Sequence, residues 1–392
     1  MSATGAGGPP AGPLVFVVAG EPSGDVLGGR LMAALSRLTG GSVRFAGVGG
    51  ESMAAQGLRS LYPIEDLAVM GFAEVLPRLA TILRRLRETE RAVAELRPDV
   101  VVTIDAPGFT MRLARRLRPL GIPAVHYVAP QLWAWRPGRA RRIAGLFDRM
   151  LALFPFEPAF FSALGIDTLE VGHPAIEAPT PEAGDLRARL GIAPGAPVLA
   201  LMAGSRSGLA RRMLPVYGEA AALLARRVPG LVALLPAVRA TREAAEAAVS
   251  GWRLPAHVLA EPGDRRAALA VAGAAVTTSG TSTLELAIAG LPMAVAYRAS
   301  PASAFLARRM LRVPHVALPN LILGRGFVPE LLQERCTPEA IADAAQALLA
   351  GGEPALLQRA GFAELRALLG GGGVPPSERA ASAVLAAIRR EG

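Results

Sequence analysis

Lysine is absent from this chain of 392 residues, so its 42 basic side chains are all arginine. That excludes Schiff-base chemistry on a lysine and the lysine of a phosphate-binding P-loop. Cysteine is nearly absent: the single Cys336 cannot form an intrachain disulfide and fits a reducing compartment. Aromatics make up only 5% of residues and the arginines are spread along the chain, which argues against a nucleic-acid-binding surface. No apolar run reaches the roughly 18 residues of a membrane span. The opening MSATGAGGPPAG lacks a basic start and an apolar core, so residues 1–12 read as a flexible tail and not as a signal peptide. No Asp-x-Asp pair and no His, Cys or carboxylate set has convincing metal-ligand spacing, so no metal is expected.

What is present is a globular composition, 52% hydrophobic and 19% charged, in a chain long enough for two domains. The net charge of +10 suits an anionic partner, though joint abundance of Ala, Gly, Pro and Arg makes plain composition the main cause. Short apolar runs alternate with helix-forming stretches, the pattern of a parallel sheet with right-handed crossovers. Leu14 to Gly20, Val43 to Val48, Pro98 to Ile104, Ile122 to Val128, Met150 to Phe154 and Leu169 to Gly172 are the expected strands of a first half. A stretch rich in Pro, Ala, Glu and Thr around Ala175 to Ala183 reads as a linker. The alternation restarts with Val198 to Met202, Leu231 to Leu235, His257 to Leu259, Leu269 to Val276 and Pro292 to Tyr297. The expected organisation is an N-terminal domain over 13–175, a C-terminal domain over 176–375, and a helix over 376–392 that packs back on the first domain.

Open α/β sheets bind ligands at the carboxyl ends of their strands, so the loops there carry the chemistry. Glu21-Pro22-Ser23-Gly24-Asp25 follows the first strand as a turn, without the spacing of a dinucleotide fingerprint. Leu67 to Leu86 sets Met70, Leu76, Leu79, Ile82 and Leu83 among arginines, which suits a core helix or an Arg-rimmed patch on an anionic membrane. Asp105 ends the third strand, where it would face a ligand; a turn-initiating Asp before Pro107-Gly108 is the plainer alternative. Trp133, Trp135 and Arg136 make a surface for a sugar or an acyl chain, or a packed loop.

In the second half Arg206 closes a small-residue turn and stands ready for a phosphate. Thr277 to Glu285 reads as a strand end, a hydroxyl-rich turn about Gly280 and a helix start. The free N–H groups of such a turn, with the positive end of the helix, suit a phosphate or pyrophosphate. Ser282 and Glu285 also fit a capping box, which needs no ligand.

Ten segments occur in a telling order: GEPSGDVLGG (Gly20 to Gly29), VMGFAEVLPRL (Val69 to Leu79), IDAPGF (Ile104 to Phe109), LWAWRPGRA (Leu132 to Ala140), PFEPAFF (Pro155 to Phe161), VGHP (Val171 to Pro174), GSR (Gly204 to Arg206), TSGTSTLE (Thr278 to Glu285), LPNLILGR (Leu318 to Arg325) and VPELLQ (Val328 to Gln333). With them the chain resembles the lipid-A-disaccharide synthase family over nearly its full length. The resemblance implies an α/β fold of two Rossmann-like domains facing a central cleft, the GT-B architecture. It implies an inverting transfer from UDP-2,3-diacylglucosamine to 2,3-diacylglucosamine 1-phosphate, giving the β-1,6-linked lipid A disaccharide 1-phosphate and UDP. The UDP-sugar is then a substrate, and no cofactor is implied.

On the matching positions the resemblance makes Asp105 the general base. It gives the pyrophosphate to the N–H groups of the turn about Gly280 and to the hydroxyls of Ser279, Thr281 and Ser282, the departing UDP charge to Arg206, the ribose to Glu285, and a donor or sugar contact to Asn320. Gly108 stands where family members often carry a second Asp, which leaves Asp105 the only carboxylate of its loop. Ala203 and Leu209 stand where the family has Pro and an acidic residue, and Pro22 where it has Ala. Membrane-borne substrates turn Met70, Leu76, Leu79, Ile82 and Leu83 toward a membrane surface, and Ser23, Trp133, Trp135 and Arg136 toward the acceptor. The implied location is cytoplasmic, peripheral on the inner membrane, and the implied assembly a homodimer. The alternative is another GT-B UDP-sugar enzyme, with a different lipid-linked acceptor or an epimerase activity.

Overall fold

From Val15 to Ala19 every residue of the first strand is shielded from solvent, as an apolar run without alternation requires when both faces of a sheet are covered. The structure, a computed structural model, describes residues 12–67, 72–135, 141–300 and 313–388, apart from the side chains of 72–78, 134 and 135. The tail expected at 1–12 lies outside the described residues except for Gly12.

The first unit runs β1 (Leu14–Ala19), α1 (Pro22–Leu38), β2 (Arg44–Val48), α2 (Glu51–Ala54), α3 (Phe72–Leu96), β3 (Val100–Ile104), α4 (Pro107–Leu117), β4 (Ala124–Tyr127), α5 (Leu132–Trp135), β5 (Arg149–Ala152), α6 (Glu157–Ser162) and β6 (Thr168–Glu170). Its strands pair in parallel in the order β2-β1-β3-β4-β5-β6. The order reverses between β1 and β3, the switch point where crossovers diverge and leave a crevice at the strands' carboxyl ends. Glu21 to Asp25 is not the expected turn. Pro22 takes the first helical position, where its missing N–H costs nothing, and α1 starts there. Asp25 is buried and accepts the N–H groups of Gly50, Ser52 and Met53, so one carboxylate satisfies the start of α2.

The second unit runs α7 (Leu186–Arg189), β7 (Val198–Met202), α8 (Ser207–Ala225), β8 (Val232–Pro236), α9 (Arg239–Val249), β9 (Ala256–Leu259), α10 (Pro262–Val271), β10 (Ala274–Thr277), α11 (Thr281–Ile288), β11 (Met293–Tyr297), α12 (Leu318–Leu323), β12 (Glu330–Leu332), α13 (Pro338–Leu349) and α14 (Glu353–Leu368). Its parallel order is β12-β11-β10-β7-β8-β9, with the switch point between β7 and β10. The run Leu269 to Val276, expected as one strand, is divided. Ala272 turns extended at φ −72° and ψ 140°, ending α10, and only Ala274–Thr277 is strand. β12 has three residues, too few for any periodic signal, and the sequence gives no warning of it.

The last helix, α15 (Pro376–Ile388), packs on α1 of the first unit. The units are Met1–Glu177 with Leu369–Gly392, and Ala178–Leu368. The second therefore ends before the expected 375, because the Leu369 carbonyl already accepts the His173 N–H at 3.1 Å and the Glu177 carboxylate accepts the Ser377 N–H at 2.7 Å.

Candidate active site

At the first switch point, strain and desolvation meet. Asp105 and Ala106, the two residues that leave β3, both have left-handed backbones, at φ +49° and +45°. Val128, just past β4, has φ +77°, which is rarer still for a β-branched residue. Such conformations cost of order 1–3 kcal/mol each and persist only where the surroundings enforce them, as functional sites do. Here the Asp105 N–H is held by the Tyr127 carbonyl at 2.9 Å, and the Thr110 hydroxyl donates to the Asp105 carbonyl at 2.8 Å. Gly20 is needed for a close approach: a Cβ there would lie 2.5 Å from that of Ala106.

This crossing brings Glu21, at the end of β1, beside Asp105. Burial raises the Asp105 carboxyl above its ordinary value, with the Ala106 N–H pulling the other way. Burial and then the Asp105 charge raise Glu21. Asp105 is the only carboxylate in its own loop but not the only one at its site; the sequence hides Glu21 because 84 positions separate the two. Ser23 is exposed in the first turn of α1 at the same edge. His126 and His173 are structural: burial pushes them down to about 3 and about 4, and they stack on Phe147 and Phe154.

Trp133 is half-buried. Its indole N–H donates to Glu157 Oε1 at 3.1 Å, its ring meets Phe156 edge-on at 4.9 Å, and it packs against the core, so only part of the side chain is accessible to a ligand. Glu157, 1% exposed, also accepts the Leu153 and Phe154 N–H groups at 3.0 and 3.1 Å. The apolar set on α3 divides. Ile82 packs with Leu86 against the core, which corrects its assignment to an exposed patch, because its face of the amphipathic helix meets the sheet. Leu83 is half-buried and Leu79 is 40% exposed. Met70 and Arg136 lie outside the described residues, as do the side chains of Leu76 and Trp135.

The second switch point is built from unsatisfied donors. Gly280 caps α11 at φ +118° and ψ −158°, a conformation open essentially to glycine alone, and a Cβ there would meet nothing within 4 Å. The N–H groups of Ser279, Gly280, Thr281 and Ser282 find no acceptor among the described residues. The Ser282 hydroxyl lies 3.0 Å from Thr277 Oγ1 and donates to the Thr278 carbonyl at 3.3 Å, so Ser282 offers its N–H rather than the expected hydroxyl. The capping box is not formed: Glu285 is exposed and its side chain makes no hydrogen bond among the described residues. Its side chain reaches solvent yet stands among packed atoms, and this partial desolvation raises the carboxyl against the pull of Arg265 and Arg266.

The loop after β7 lies against this turn. The Thr278 N–H donates to the Met202 carbonyl at 3.3 Å, and a Cβ on Gly204 would sit 3.0 Å from Thr278 Oγ1. Arg206 is exposed at the head of α8, and Leu209 packs over Gly204 where the family's acidic side chain would stand. Asn320 is different from the expectation. It is 1% exposed; Nδ2 donates to the Val328 carbonyl at 2.8 Å and Glu330 Oε1 at 2.9 Å, and Oδ1 accepts the Phe327 and Val328 N–H groups at 3.0 and 2.9 Å. All four of its hydrogen-bonding positions are taken within the fold, so it is a pin for β12 and not a donor contact.

Two doubly wound parallel sheets, each with its loops gathered at a switch point, define the GT-B class of fold shared by sugar-nucleotide transferases and epimerases. Solved structures agree. The UDP-GlcNAc 2-epimerase from Neisseria meningitidis superposes with a TM-score of 0.61 over 95% of this chain and 98% of its own, at 13% identity. MurG from Acinetobacter baumannii gives 0.57 over 96% and 100%, at 15% identity. The family model described as lipid-A-disaccharide synthetase matches residues 15–377. The lipid-A-disaccharide synthase of Rhodospirillum centenum is 50% identical over 384 residues, covering 96% of this chain and 95% of that protein. That of Granulibacter bethesdensis is 49% identical over 84% of each. The chain belongs to the lipid-A-disaccharide synthase family and is a glycosyltransferase of lipid A biosynthesis.

Proposed function

We propose that the protein joins UDP-2,3-diacylglucosamine to 2,3-diacylglucosamine 1-phosphate, giving the β-1,6-linked disaccharide 1-phosphate and UDP. The observation that supports this most is the ring of unsatisfied N–H groups at Ser279 to Ser282, set about a glycine at the head of α11. In this reading they take the pyrophosphate, Arg206 meets its growing charge, and Glu285, free of any cap, takes the ribose hydroxyls. The acceptor's 6-hydroxyl gives its proton to Asp105 as its oxygen bonds to the anomeric carbon. The bond from that carbon to UDP breaks with its electron pair leaving on UDP, and attack from the opposite face inverts the centre. Burial raises the Asp105 pKa, which makes it a stronger proton acceptor than an ordinary Asp. Glu21 supplies a second negative charge that favours proton uptake on the pair.

With donors and Arg206 supplying positive potential, the transfer is proposed to need neither metal nor cofactor. Ser23 and the accessible part of Trp133 serve the acceptor side. Exposed Leu79, with Arg84 and Arg87 on the same helix, supports peripheral contact with an anionic inner membrane from the cytoplasmic side. Among the described residues no helix is long and apolar enough to cross a membrane. A homodimer rests on the family resemblance alone, and no nucleic-acid partner is proposed. The test is incubation of purified protein with both diacyl sugars in EDTA, scoring UDP and disaccharide. Product in equal yield with and without chelator is expected; no product under either condition overturns the reaction, and loss with EDTA alone overturns the metal-free step.

A further inference from the structure

We propose that Gln333 is a donor-specificity residue whose carboxamide hydrogen-bonds a hydroxyl of the sugar carried by the nucleotide. The inference rests on the placement of the donor pyrophosphate at the Gly280 turn. Three observations carry it.

The first is backbone strain at the edge of the sheet. Gln333 leaves β12 at φ +51°, a left-handed conformation in a residue type that rarely takes it. The turn it opens, Gln333–Arg335, asks only for a left-handed residue, and glycine or asparagine would supply that with less strain. A glutamine held there points to a demand on its side chain. The second is register. Thr277 pairs with Val295, and Val295 with Glu330, so Gly280 and Gln333 each lie three residues beyond one common rung. Two strand spacings separate them laterally, about 10 Å. That is within the combined span of a phosphate-linked hexose and a glutamine side chain. The third is availability: Gln333 is half-buried, and no hydrogen bond involves its carboxamide among the described residues.

The pinning of β12 fits the same role. Asn320 and Glu330 tie α12 to the strand, with the Glu330 carboxylate also accepting the Val316 and Ala317 N–H groups. A strand of three residues would otherwise be a poor platform for a side chain that must read a hydroxyl. The LPN and VPELLQ segments thus act together, one as brace and one as contact.

Calorimetry with UDP and with the UDP-sugar, on wild type, Gln333→Gly and Gln333→Asn, separates the outcomes. Gln333→Gly keeps the backbone conformation and removes the amide. Expected is a UDP affinity within about twofold of wild type and a UDP-sugar affinity roughly tenfold weaker, one hydrogen bond's worth, with Tm unchanged or raised. Asn, with a shorter amide, falls between. Equal weakening for UDP and UDP-sugar, or no weakening of either, overturns the role of Gln333. Failure of wild type to bind UDP at all overturns the placement of the donor itself, and with it this proposal.

Discussion

The two switch points share a topology and oppose each other in chemistry. The first is lined by carboxylates that burial keeps above their ordinary pKa, Glu21 and Asp105, on a backbone forced left-handed at Asp105 and Ala106. The second is lined by donors without acceptors and an exposed arginine, on a backbone whose unusual geometry falls to a glycine. One edge is suited to taking a proton and the other to holding an anion. The difference teaches that the sheet fixes only where loops converge; three or four residues past a strand decide which half of a transfer each edge can perform.

The sharpest way to break the comparison is at Asp105. Asp105→Asn removes the proton acceptor while keeping size and left-handed tolerance, and turnover is expected to fall roughly 10²–10⁴-fold. UDP affinity, read by calorimetry, should not move. Near-wild-type turnover would remove Asp105 as base, and a matching loss of UDP affinity would show that the edges are not chemically separate. The mirror experiment is Gly280→Ala. A methyl group is sterically free there, but φ +118° is not available to alanine at low cost, so the loop must relax and its N–H groups disperse. UDP affinity is expected to weaken roughly tenfold or more, the effect of losing one or two charge-assisted hydrogen bonds. Unchanged UDP binding would place the anion elsewhere.

How much of this was legible in sequence follows from distance along the chain. Strands such as Val198–Met202 were readable because continuous apolar runs bounded by Gly and Pro leave few alternatives. Asp105 and the Gly280 turn were readable because each is a local pattern after a strand. Four features were not. Glu21 joins Asp105 only through the β1–β3 pairing, and no local pattern carries that. The resemblance gave Asn320 a donor or sugar contact, and nothing local in the LPN segment tells a side chain that faces substrate from one that pins a buried strand. The S-x-x-E pattern at Ser282 and Glu285 matched a capping box, yet the helix begins two residues earlier than that box requires and Gly280 holds the cap position. The apolar set at Leu67 to Leu86 read as one patch, whereas helix geometry sends Ile82 and Leu86 inward and Leu79 outward.

The smallest expected effect tests whether the desolvated-carboxylate character of the first unit extends beyond its switch point. Glu157 sits under the Trp133 loop with its carboxyl pushed up from 4.5 to about 7, burial outweighing the hydrogen bonds from Phe154, Trp133 and Leu153. A carboxyl with a raised folded pKa binds its proton more tightly in the native state than in the unfolded chain. Stability is therefore fullest below about 4.5, falls as pH rises through the window to about 7, and is flat above it. The full difference corresponds to at most about 3 kcal/mol, by the usual conversion of pKa to free energy. Glu157→Gln is neutral at every pH but must turn its NH2 toward either the Trp133 indole or the two backbone N–H groups, so it starts less stable and lacks the slope. Thermal melts between pH 5 and 8 should show the gap in Tm between wild type and Glu157→Gln narrowing as pH rises, as the wild-type carboxyl is forced to ionise. A gap that holds constant would mean that Glu157 is already ionised at the acid end. The hydrogen bonds would then have outweighed burial, and the raised carboxyls of the first unit would be a property of its switch point alone.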